Sequence, residues 1–155
     1  MKRRWLIYVL VGIAFGVFDF YYQGFLPSSL GTIVRLILVL GVWLIPIVPI
    51  GLYEAKVSRS RFLPAWAGCL TWLTAVVFYY LYNAVKLAFL GVAGRPELHI
   101  SQRHDPLFWE NWKSVLQQDI LGGIVEWSAV AIVGGLIIGY LAGWVYRRVA
   151  KVTPN

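Results

Sequence analysis

Residues 65–90 read AWAGCLTWLTAVVFYYLYNAVKLAFL, a run of 26 side chains with one charge, Lys86. A bilayer core takes about 20 mainly apolar residues in one helix, so this run is long enough to cross a membrane. Outward from it, three more runs of the same kind lie at 5–22, 32–53 and 121–146, and 17 of the 21 charged residues fall outside the four runs. Hydrophobic residues make up 59% of the 155 and charged residues 14%, against about 45–50% and about 25% in soluble domains. A soluble chain this apolar would lack the polar surface to cover itself. The expected fold is an all-α membrane protein, an antiparallel bundle of four transmembrane helices forming a single integral membrane domain over 1–155.

The first run follows Lys2, Arg3 and Arg4 and so begins like a signal peptide, but the bulky Phe18-Asp19-Phe20-Tyr21-Tyr22 follows it instead of a small-residue cleavage site. It reads as a retained span. The single cysteine, Cys69, rules out an intramolecular disulfide and falls inside an apolar run, where it serves as a small hydrophobe.

Lys and Arg accumulate in the cytoplasmic loops of membrane proteins. Here they lie before the first span, in the second connection (Lys56, Arg59, Arg61) and after the last span (Arg147, Arg148, Lys151), while connection 23–31 carries no charge. Four spans with both termini cytoplasmic, in a plasma (inner) membrane, satisfy this distribution. The net charge of +7 then divides into +8 inside, −1 outside and zero within the spans. It reports orientation, and nucleic acid is not expected as a partner.

The external loop, 91–120, is far longer than the other two connections. Asp105-Pro106 opens it like an N-cap with proline at the first helical position. Phe108, Trp112, Val115 and Leu116 then recur on one helical face. This predicts a short amphipathic surface helix over 105–118 that either lies on the outer membrane surface or, as its few cations favour, caps the bundle. Pro46 and Pro49 predict a kink in the inner half of the second span.

Each span carries one ionisable side chain: Asp19, Arg35, Lys86 and Glu126. Intramembrane charges are costly and commonly functional. Counting along the helices gathers all four toward the outer leaflet. Gly12, Gly16, Asp19 and Gln23 share one face of the first span, and Tyr79, Tyr82, Asn83 and Lys86 one face of the third. Asp19 with Arg35, and Glu126 with Lys86, are the natural ion pairs. The polar cluster Asp19, Arg35, Tyr79, Asn83, Lys86 and Glu126 is therefore either a set of structural pairs or the lining of an outward-facing cavity. On the fourth span Ala131, Gly135, Gly139 and Gly143 form a ridge of small residues that allows close helix approach. Since Glu126 falls on the opposite side of that helix, two faces need protein contact, which points to a homo-oligomer or a larger membrane complex.

Other chemistry has little support. Glu97, His99, His104 and Asp105 match no common zinc spacing, the serines have no partner base, and the glycine pairs sit in apolar helices and not after strands. No cofactor, metal or catalytic residue is expected, and the chain is read as non-enzymatic. Two roles follow: a subunit or scaffold of a membrane assembly, or a small-solute transporter or lipid-binding protein with an outward polar cavity. Membrane lipid is a partner in both.

Overall fold

The computed structural model describes residues 2–27, 29–90 and 104–152, and every regular element among them is helical. The helices are α1 (Lys2–Phe25), α2 (Thr32–Gly41), α3 (Leu44–Ser58), α4 (Leu63–Leu90), α5 (Phe108–Val115) and α6 (Gly122–Val152). Four helical runs are long and apolar enough to cross a membrane: Arg3–Phe25, Thr32–Ser58, Leu63–Leu90 and Phe108–Ala150.

The second of these runs is broken, and not where its prolines stand. The interruption falls at Val42 and Trp43, between α2 and α3. A proline ring collides with the carbonyl four residues back and offers it no N–H, and four residues before Pro46 is Val42. The Val42 carbonyl takes a tighter bond from the Ile45 N–H instead, at 3.1 Å. The expected kink is therefore one turn upstream. It releases α2 from the packing: no residue of α2 is buried.

α4 is the central element. Gly12 and Gly16 bring α1 against it so closely that a Cβ on Gly12 would stand 2.7 Å from the Thr71 carbonyl oxygen, and one on Gly16 would stand 3.0 Å from the Tyr79 backbone nitrogen. These pairings rise together in number, so α1 and α4 run parallel. On the other side α6 descends antiparallel to α4, and a Cβ on Gly135 would stand 2.6 Å from the Cys69 Cα. A Cβ on Gly139 would meet the Pro64 carbonyl oxygen and lie 2.9 Å from the Ala65 Cα. α3 packs on α4 and α6, with Gly51 set against Gly139 and Ala142. α4 runs antiparallel to both α3 and α6, while the chief neighbour of α1 is the parallel α4 and its contact with α3 is thin. A core of Trp43, Ile47, Trp72, Val76 and Ala131 joins α3, α4 and α6, its two indoles stacked with centroids 5.5 Å apart.

The surface helix is not a separate piece. Asp105 is not its N-cap: its Oδ1 accepts the Leu107 N–H at 2.8 Å in the turn ahead, the capping position is Leu107 without a side-chain bond, and regular helix begins at Phe108 and leads through a π-helical segment, Leu116–Leu121, straight into α6. Phe108 and Val115 are buried, and Val115 with Ile120 packs against Ala84 and Leu87 near the end of α4. That apolar face is turned to protein. The turn from α3 to α4 is built by serines: Arg59 ends α3 in the left-handed region (φ 54°), and the Ser60 hydroxyl accepts the N–H groups of Phe62 and Leu63 at the head of α4.

Candidate functional site

Where the C-terminal halves of α1 and α4 meet, polar side chains from both helices are buried together. The Asp19 carboxylate is 1% exposed, and its Oδ2 accepts a hydrogen bond from Gln23 Nε2 at 2.7 Å, one turn further along the same face. From α4 the buried Tyr79 hydroxyl donates to Gln23 Oε1 at 3.4 Å. Asn83, one turn beyond Tyr79, is also buried. Parallel packing of α1 and α4 through Gly12 and Gly16 is what places these two polar faces at the same height.

Beside this chain lies a cavity of about 60 Å³, room for a few water molecules. Asp19 and Gln23 form its polar wall, with Tyr79 and Tyr80 from α4. Val39, Trp43, Val76 and Trp127 close the rest. The ring of Tyr80 lies directly over Gly123, where a side chain on α6 would displace it. Its hydroxyl sits in the combined field of Glu126, Asp119 and Asp19.

Of the six polar residues singled out in the sequence, Asp19, Tyr79 and Asn83 come together. Lys86 is half-buried one turn further out, where its Nζ lies 4.9 Å from the Phe20 ring centroid and 5.5 Å from that of Tyr21. It serves as a cation over aromatic faces, and beneath it the hydroxyls of Tyr21 and Tyr82 are hydrogen-bonded. Arg35 and Glu126 are exposed, on α2 and α6. Neither expected pair, Asp19 with Arg35 or Lys86 with Glu126, forms among the described residues; Arg35 and Glu126 are both on exposed faces of their helices. Ala131, Gly135, Gly139 and Gly143 do form one ridge, spent inside the fold: α4 fills it from Pro64 to Cys69, and Ala131 joins the shared core. Glu97 and His99 lie outside the described residues.

A second buried carboxylate sits at the opposite end of α1. Glu54, expected in a cytoplasmic connection, is in α3 and fully buried. Arg4 Nη1 reaches both of its oxygens at 3.3 Å, and the Tyr8 hydroxyl donates to Oε2. Arg4 and Tyr8 are four apart, on the face that continues through Gly12 and Gly16 to Asp19. That continuity was the available signal; starting the span at Trp5 put Arg4 in the basic rim and hid it.

No protein family model, curated protein or solved structure matches the chain.

Proposed function

We propose that the chain is a four-span integral membrane protein with both termini in the cytoplasm, and that its outer half binds a small hydrogen-bonding solute in the cavity beside Asp19. Depth supports this reading. At 1.5 Å per residue, Asp19 lies about 22 Å from Arg4, within a core of about 30 Å. Lys86 over the Phe20 ring, Glu126 next to the cavity-lining Trp127 and Arg35 one turn from the cavity-lining Val39 stand near the same height but are exposed or half-buried. Of the four charges Asp19 alone is buried.

The observation that carries the proposal is the cavity itself, with a buried carboxylate, a carboxamide and two phenols turned toward one small space in helices otherwise apolar. Buried polar side chains at this depth are expensive and concentrate where a solute or ion is handled. The test uses Val39, the cavity wall supplied by α2. In a Cys69→Ala background, Val39→Cys is treated in intact cells with a charged thiol reagent that does not cross membranes. Labelling from outside, lost when Trp127 is modified to close the space, is the expected result; a thiol unreactive from both sides of the membrane rejects the reading.

The alternative role, as subunit or scaffold, loses the glycine ridge as its support but gains α2. Ile33, Val34, Leu36 and Ile37 are all exposed, with Arg35 among them. An unburied apolar helix beside a charge is a face that a neighbouring membrane helix could cover.

A further inference from the structure

The cytoplasmic end of α6 carries a second construction, unconnected with Asp19. Arg61, in the turn before α4, and Arg147 and Arg148, at the end of α6, surround a recess of about 340 Å³ together with Tyr140 and Trp144. The recess is held open by specific contacts. Arg147 Nη1 donates to the Ser60 carbonyl at 2.9 Å, which ties α6 to the serine-built turn, and the Arg148 guanidinium stacks 4.6 Å from the Trp144 ring centroid. No carboxylate pairs with any of these three arginines among the described residues.

Directly adjoining it is a groove of the opposite character. About 420 Å³ in volume, it runs between α4 and α6 over Trp66, Ile137 and Leu141 and is almost wholly apolar. Tyr140 belongs to both spaces, and Phe62, next to Arg61, lies 6.4 Å from it ring to ring. A cluster of three cations thus opens into a hydrocarbon slot, with an amphipathic tyrosine at the junction. Cations alone would suit any anion and the slot alone any acyl chain; joined, they fit one molecule that has both.

We infer that this is a binding site for an anionic phospholipid of the cytoplasmic leaflet, its head-group phosphate held among Arg61, Arg147 and Arg148 and one acyl chain laid along the groove between α4 and α6. Guanidinium groups match phosphate oxygens in geometry as well as charge, and basic recesses between spans on the cytoplasmic side suit such head groups. The inference rests on the membrane reading above and is independent of the outer cavity.

The experiment is native mass spectrometry of the full chain, extracted from membranes in mild detergent and mixed with equal amounts of phosphatidylglycerol and phosphatidylcholine. The expected result is preferential retention of phosphatidylglycerol, falling about fivefold for each arginine removed. Arg61→Gln and Arg148→Gln take away charge without touching the Arg147 bond to Ser60, so a folded protein is retained for the comparison. Ile137→Trp fills the groove and is expected to lower retention of phosphatidylglycerol with the arginines intact, while excess glycerol phosphate is expected not to displace the lipid. Equal retention of the two lipids, or unchanged preference in the arginine variants, overturns the site. Displacement by glycerol phosphate overturns the acyl groove. A chain that carbonate washes from the membrane overturns the four-span reading itself, an outcome distinct from the other three.

Discussion

A carboxylate with no exposure has to be held by its partners, and Glu54 is held by two residues of another helix. Removing one partner of a buried pair costs about 3–5 kcal/mol; because Arg4 keeps 22% of its side-chain exposure, Arg4→Met is expected at the lower end, near 3 kcal/mol. Adding Glu54→Gln should recover part of that loss, since the amide still meets Tyr8 and no unpaired charge remains. Denaturant unfolding of the two variants in detergent checks it. The glycines make a sharper contrast. At Gly139 a methyl group would strike the backbone of Pro64 and Ala65, which cannot swing aside, so Gly139→Ala should cost about 1–3 kcal/mol by overpacking. Nothing lies within 4 Å of a Cβ at Gly24, and Gly24→Ala should be neutral or stabilising by about 0.5–1 kcal/mol. The same unfolding measurement ranks the two. At this scale the sequence was legible where a polar residue stood alone in an apolar run, as Asp19 does. It was opaque for Glu54, because a carboxylate four residues from a span end looks like a loop residue until a tyrosine and an arginine from elsewhere enclose it.

The elements were legible in length and type but not in their joints. Apolar runs and charge gaps mark four helices, while the joint between α2 and α3 depends on which carbonyl a proline displaces, and so lies four residues from the proline itself. The amphipathic stretch after Asp105 was readable by period, whereas its fusion to α6 depends on packing against Ala84 and Leu87 that no local pattern encodes. Asp105 still governs how that helix begins. Asp105→Ala removes the acceptor of the Leu107 N–H in the turn ahead of α5 and should cost about 0.5–1 kcal/mol as a single exposed hydrogen bond, concentrated in that turn. Hydrogen exchange at residues 107–111 should accelerate about fivefold while exchange in α4 is unchanged.

For the molecule as a whole, the assignment of polar groups to two ends follows from α1. One face of that helix binds Glu54 at its start, packs two glycines against α4 in its middle, and places Asp19 toward its far end. A single register error there would misplace both buried carboxylates. The arrangement also leaves α2 at the edge of the assembly, with no residue of it buried. If a second copy covers it in the membrane, Ile37→Cys in the Cys69→Ala background should give a disulfide-linked dimer on mild oxidation. A monomer at every oxidant concentration would instead leave α2 to lipid and remove the support for self-association. This property was beyond the sequence, because the small-residue ridge that suggested an oligomer is consumed by α4, and only the packed structure shows which face is left over.

The π-helical segment Leu116–Leu121 sets the angular phase between α5 and α6. Each residue of an α-helix turns the chain by about 100°, and a π turn accommodates one residue more than an α turn would. Val115 and Ile120, five apart, therefore reach the same cluster on α4. Were the same residues wound as ordinary α-helix, Val115 and Ile120 would stand about 140° apart, and Phe108 and Val115 would turn away from α4 with α6 left undisturbed. The insertion works as a keyed coupling between two rods: it transmits no load along the axis, and it fixes how the cap is rotated on the span below it.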